Sequence, residues 1–150
     1  MSNLPMSERP VSERPVFDDK VALIVRSDLA VWQKLNVAAF LATGVAASAP
    51  AAIGEPYVDG AGWRYSPMLG QPILVFAADV AGLRFAHRVA VERELTIVPY
   101  VAAMFATGHD SANRAVFAEG DPDALDFVGL AVHGPKKLVD KAIKGLALHA

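Results

Sequence analysis

Short, almost unbroken apolar runs alternate along this chain with longer stretches in which apolar residues recur every three or four positions. KVALIVR (Lys20–Arg26) and PILVFAAD (Pro72–Asp79) are β-branched or aliphatic nearly throughout, the pattern of strands covered on both faces. LTIVPYVAAMF (Leu95–Phe105) contains a third strand, with Pro99 marking its end or an edge position, and DFVGLAVHG (Asp126–Gly134) is a fourth. Between them, Leu35 to Ala47 has Leu35, Ala38, Ala39 and Ala42 at helical spacing. Val80 to Glu94 sets Leu83, Ala86, Ala90 and Val91 against Arg84, Arg88 and Glu92. Pro135 to Gly145 reads as a short helix with proline at its start and glycine at its end. Ser48 to Gly70, rich in glycine and proline, reads as an irregular excursion with a short strand near Trp63–Tyr65.

The order β-α-β-α-β-β-α predicts an α/β fold, a three-layer α/β/α sandwich around a four-stranded sheet. Helical crossovers make the first three strands parallel, and the β-β link supplies an antiparallel neighbour, so the sheet is mixed. The domain is expected over residues 20–150, preceded by a flexible tail, 1–19, in which SERPV occurs twice (Ser7–Val11 and Ser12–Val16) among prolines and charges.

With 150 residues, the chain is long enough to fold on its core alone, and it contains no cysteine. That excludes disulfides, thiolate metal sites and a cysteine nucleophile, and fits a cytoplasmic protein. The net charge of −2 gives no overall basic surface for nucleic acid. No apolar run reaches the ~18 residues of a membrane span, so no membrane partner is expected. Four lysines (Lys136, Lys137, Lys141, Lys144) cluster near the C-terminus and read as a solvated helix face interrupted by Asp140. His87, His133 and His149 have no metal-ligand spacing. Neither a metal nor a cofactor is expected.

KVALIVRSDL, the Ala38-Ala39 helix, PILVFAAD and the closing GLAVHGPKKLVDKAIKGLALH together resemble the type-2 peptidyl-tRNA hydrolases in element order, over about Lys20 to Ala150. MFATGHDSANRAVF and VDKAIKGLALH are closer still to the domain of unknown function 2000 family, which shares that fold. The resemblance implies a mixed four-stranded sheet flanked by helices and no established reaction. If Ala38-Ala39 is aligned with the hydrolases' paired alanines, Asn36 stands where their catalytic lysine does and Phe40 where their glutamine does. Lys34 lies two positions earlier and projects in a different direction on a helix. ATGHDSAN replaces their Asp-Ala-Gly loop. An asparagine cannot supply the positive charge of that lysine, so the scaffold does not bring the chemistry with it.

Three segments are candidates to meet at one sheet edge, beyond the carboxyl ends of strands where α/β folds bind ligands. They are Arg26-Ser27-Asp28, the start of the first helix (Lys34, Asn36) and Thr107-Gly108-His109-Asp110, with Asn113 and Arg114 just beyond. His109 and Asp110, with Lys34, are the acid–base candidates. Arg26, Ser27, Asp28, Asn36, Thr107, Gly108, Asn113 and Arg114 are the binding candidates. Each also has a structural reading. Arg26 can pair with Asp28, Asp28 can fix the strand-to-helix turn, and Asp110 or Ser111 can cap a short helix. Trp63, Tyr65 and Met68 in the excursion can cover the core or mediate self-association. The favoured expectation is a binding protein for a small anionic ligand or a protein partner. The alternatives are hydrolysis of peptidyl-tRNA or a related ester, the one reading with tRNA as a partner, and a homodimer acting through protein contacts.

Overall fold

In the first strand Val21 to Val25 are buried one after another, which requires cover on both faces of the sheet. The computed structural model describes residues 16–150, so the SERPV repeat, up to residue 15, lies outside the described residues. The elements are β1 (Asp19–Arg26), α1 (Val31–Ser48), β2 (Tyr57–Val58), β3 (Arg64–Tyr65), β4 (Ile73–Ala78), α2 (Val80–Glu92), β5 (Thr96–Val101), α3 (Asp110–Glu119), β6 (Phe127–Pro135) and α4 (Lys136–Ala142). One four-stranded sheet has the order β4-β1-β6-β5. β4 is parallel to β1 (Leu23 opposite Val75), and β6 runs antiparallel to both β1 and β5, with Ala131 opposite Leu23 on one side and Val98 on the other. The three strands expected to be parallel therefore do point the same way, with β6 inserted between β1 and β5. Pro99 lies inside β5 rather than at its end. It is tolerated there because β5 is an edge strand. The outer edge of β4 is covered by the C-terminal segment: Ala77 N donates to the Ala147 carbonyl (2.9 Å) and His149 N to the Val75 carbonyl (2.8 Å).

Alternate residues of β1 feed two cores. Val21, Leu23 and Val25 meet Val37, Leu41 and Val45 of α1 on one face. Ala22 and Ile24 join Leu83, Ala86 and Ala90 of α2 and Val139 and Ala142 of α4 on the other. Glycine permits the close approach of α1: a Cβ on Gly129 of β6 would overlap Val37 Cγ1 and lie 3.1 Å from Leu41 Cδ1. The structure corrects the expected inner face of α1. Leu35 is 67% exposed, and the buried stripe is Val37, Leu41 and Val45. Apart from Lys34 the helix carries no charge, so apolar spacing marked several faces at once. On α2 the expected Leu83, Ala86 and Ala90 are inside, but Val91 is 56% exposed. That helix begins where the Asp79 carboxylate accepts from Gly82 N at 2.8 Å.

The His87 imidazole of α2 lies against the Phe127 ring (centroids 4.7 Å apart), and burial lowers its pKa from the ordinary 6.5. The unfolded chain therefore takes up this proton first, so the stability contributed by neutral His87 falls as pH drops below 6.5. The melting temperature is expected to fall as the buffer is taken from pH 7.5 to 5.5, and to fall less in His87→Phe. Equal slopes in the two proteins would count against a buried neutral imidazole.

Candidate functional site

After β5 the chain makes a 3-10 turn (Ala102–Ala106), a tight Thr107-Gly108 bend and then α3. The short helix that the sequence offers at this point is α3. Its N-cap is His109, rather than Asp110 or Ser111. Nδ1 accepts from Ala112 N (3.3 Å) and lies 2.8 Å from Ser111 Oγ. A backbone N–H can only donate, so Nδ1 carries the lone pair and the ring proton sits on Nε2. Asp110 pairs with Arg114 one turn on. Thr107 Oγ1 contacts the Met104 carbonyl (2.9 Å) and the Asn113 side-chain amide.

Between α1 and this segment runs a groove made of two adjoining chambers. The larger, about 620 Å³, is mainly apolar, with walls from Phe40, Leu41, Val98, Pro99, Met104 and Phe117. The smaller, about 280 Å³, is lined by Trp32, Asn36, Phe105, Thr107, Gly108 and His109. Phe40, Tyr100, Met104, Asp110 and Asn113 border both. A run of rings forms the floor: Trp32 on Phe105 (5.8 Å), Phe105 on Tyr100 (5.3 Å) and Tyr100 on Phe40 (6.2 Å). At the junction the Tyr100 hydroxyl donates to Asn36 Oδ1 (3.1 Å), and burial raises the phenol's pKa.

The structure thus brings Asn36, Thr107, Gly108, His109, Asp110, Asn113 and Arg114 to one groove, and leaves four candidates elsewhere. Arg26 spends its guanidinium on two carboxylates. Nε and Nη2 reach Asp28 (2.8 and 3.2 Å) and Nη1 reaches Asp126 (3.1 Å). Asp126 in turn accepts Ala102 N through its carbonyl (2.9 Å). Arg26 therefore ties the ends of β1 and β6 to the turn after β5. The hydrogen bond from Arg26 holds the Asp28 pKa below the usual carboxylate value, and Lys34 adds to the effect. Ser27 N donates to the Ala78 carbonyl (3.0 Å), continuing the β1–β4 pairing. Lys34 projects away from His109 into a separate groove of about 270 Å³ with Val25, Val75 and His149. Trp32, Phe40, Tyr100 and Met104 went unremarked as site residues. YVAAMF reads equally well as core strand, and only the 3-10 turn aims its side chains into the groove. Among the described residues no helix is long and apolar enough to cross a membrane.

A mixed α/β sheet with helices on both faces and a groove between α1, the edge strand β5 and α3 defines the architecture. The chain belongs to the family described as protein of unknown function DUF2000, whose match spans residues 19–150. It is similar to the solved structure of a protein of unknown function from Agrobacterium tumefaciens strain C58. The two share 52% identity and a TM-score of 0.86, over 90% of this chain and 100% of that one. No curated protein matches it.

Proposed function

We propose that this chain is a binding protein on a peptidyl-tRNA hydrolase II-like scaffold, taking a small anionic ligand with an apolar body into the groove between α1 and α3. The observation that carries this reading is the continuity of the two chambers: an apolar one for the body and a polar one for the head. The head group meets His109 Nε2–H and the first backbone N–H groups of α3, which have no partner within the helix and sit at its positive end. A carboxylate suits this set, because it accepts several hydrogen bonds and needs no side-chain cation. Arg26 and Arg114 are already paired with carboxylates.

Binding is favoured over hydrolysis because Lys34 and His109 line different grooves, so no lysine stands beside the imidazole. Asn36, at the position aligned with the hydrolases' lysine, instead accepts a hydrogen bond from Tyr100. Straight-chain carboxylates from butyrate to octanoate test the proposal in a thermal-shift titration. Affinity is expected to rise about fourfold per added methylene, the value of ~0.8 kcal/mol per buried CH₂. His109→Asn retains a good capping side chain but removes Nε2–H, and should weaken octanoate binding about tenfold. Arg26→Ala should leave that affinity unchanged while lowering the melting temperature, through the loss of two partly exposed ion pairs together worth about 1 kcal/mol. Affinity that falls in Arg26→Ala but not in His109→Asn would move the site away from this groove.

A further inference from the structure

Every residue from Tyr57 to Met68 is exposed, although the segment is well formed. β2 and β3 pair with each other, Tyr57 opposite Tyr65 and Val58 opposite Arg64. Asp59 N donates to the Trp63 carbonyl (3.0 Å), and Gly62, at φ +86°, closes the loop in the left-handed conformation that glycine adopts freely. The two ends of the arm are joined at its base by Gly54 N to the Met68 carbonyl (2.8 Å) and Gly70 N to the Ala52 carbonyl (2.7 Å). The result is a projecting arm. Cross-strand pairing and two-residue alternation put Tyr57, Tyr65 and Trp63 on one face and Val58 and Arg64 on the other. All three aromatic residues are more than half exposed, Trp63 at 68%. A lone two-stranded hairpin is at best marginally stable in water, and an uncovered aromatic face of this kind marks an interaction surface.

We propose that the arm joins two copies of this chain across a two-fold axis, the aromatic face of one arm packed on that of the other. The face is self-complementary. Of its two acidic neighbours, Asp59 turns its carboxylate into its own loop, accepting from Ala61 N (2.9 Å) and Trp63 N (3.0 Å), and Glu55 lies at the base of the arm before the paired strands begin; Arg64 points to the opposite side. The paired aromatic stretch therefore presents no unengaged charge to its own copy, as a closed two-fold contact requires. The area also fits. Half-exposed aromatics of this size, with Met68 at the base of the arm, offer on the order of 500 Å² of apolar surface. A standard interface covers about 800 Å² per partner, a little over half of it non-polar. A net charge of −2 per chain opposes pairing only weakly.

Sedimentation equilibrium of the full chain should give twice the 15.9 kDa chain mass at micromolar concentration. Replacing two of the three aromatics, Trp63→Ser with Tyr65→Ser, should weaken the dimer at least 100-fold. The melting temperature extrapolated to low concentration should not change, because the arm supports nothing in its own body. In a Trp32→Phe background, Trp63 emission should shift to the blue as protein concentration crosses the dissociation constant. A monomer at millimolar concentration, a dimer that survives the double substitution, or emission independent of concentration would each overturn the proposal.

Discussion

Leu41→Ala is expected to lower the unfolding free energy by about 2–5 kcal/mol, read from urea denaturation midpoints at constant m-value. Leu41 is fully buried, one turn from Val37 and one from Val45, and it lies over Gly129 of β6. The missing side chain of Gly129 lets α1 sit close to the sheet, so helix and strand have no slack with which to close a void. The cost therefore falls in the upper part of the range for large-to-small core changes. Leu35→Ala, six residues earlier on the same helix, removes the same atoms from an exposed position and should change stability by no more than about 0.5 kcal/mol. Similar losses in the two variants would contradict the orientation of α1 and, with it, the position of the groove that α1 walls.

Asn36→Leu is the second large effect, and it separates structure from function. The substitution removes the acceptor of the Tyr100 hydroxyl, leaving a largely buried phenol unpaired at a cost of about 1–3 kcal/mol. Adding Tyr100→Phe removes the orphaned hydroxyl, so the double variant should recover most of that stability, a coupling readable from a double-mutant cycle. Ligand binding should not recover, because the polar junction between the chambers is still gone. Octanoate affinity at least tenfold below that of the unaltered chain is expected in both the single and the double variant. Recovery of binding together with stability would mean that Asn36 and Tyr100 serve only the packing of α1 on β5.

The strands were legible in the sequence because a strand buried on both faces leaves a mark that few other elements leave. KVALIVR and FVGLAV show it, and they occupy the two inner positions of the sheet. Strand directions followed from the crossovers, although nothing local to β6 says that it slots between β1 and β5. α2 was legible because charge marks its outer side. The inner face of α1 was not, since its outer side carries Val31, Trp32, Leu35 and Phe40, and apolar spacing cannot choose among such faces. The start of α3 was placed one or two residues late because it lacks the usual oxygen cap: an imidazole nitrogen takes that role at His109.

The candidate site was legible to the extent that it is polar. Asn36, Thr107, Gly108, His109, Asp110, Asn113 and Arg114 do share one groove. Its apolar wall was not, because Phe40, Tyr100 and Met104 look in sequence like any other core residues. The division of the candidate cations was also hidden. Arg26 and Lys34 lie as near His109 in the expected topology as Asn36 does. Only side-chain direction sends Arg26 to Asp28 and Asp126, and Lys34 toward His149.

The central claim is that the groove between α1 and α3 is where this protein meets its ligand. The most direct measurement is a nitrogen-15 amide titration with octanoate, followed residue by residue. Saturable shifts gathered at Asn36, Phe40, Tyr100, Met104, Asn113 and Phe117, sharing one dissociation constant, are the predicted result. Shifts that never saturate, or that gather instead around Lys34, Val75 and His149, would contradict it.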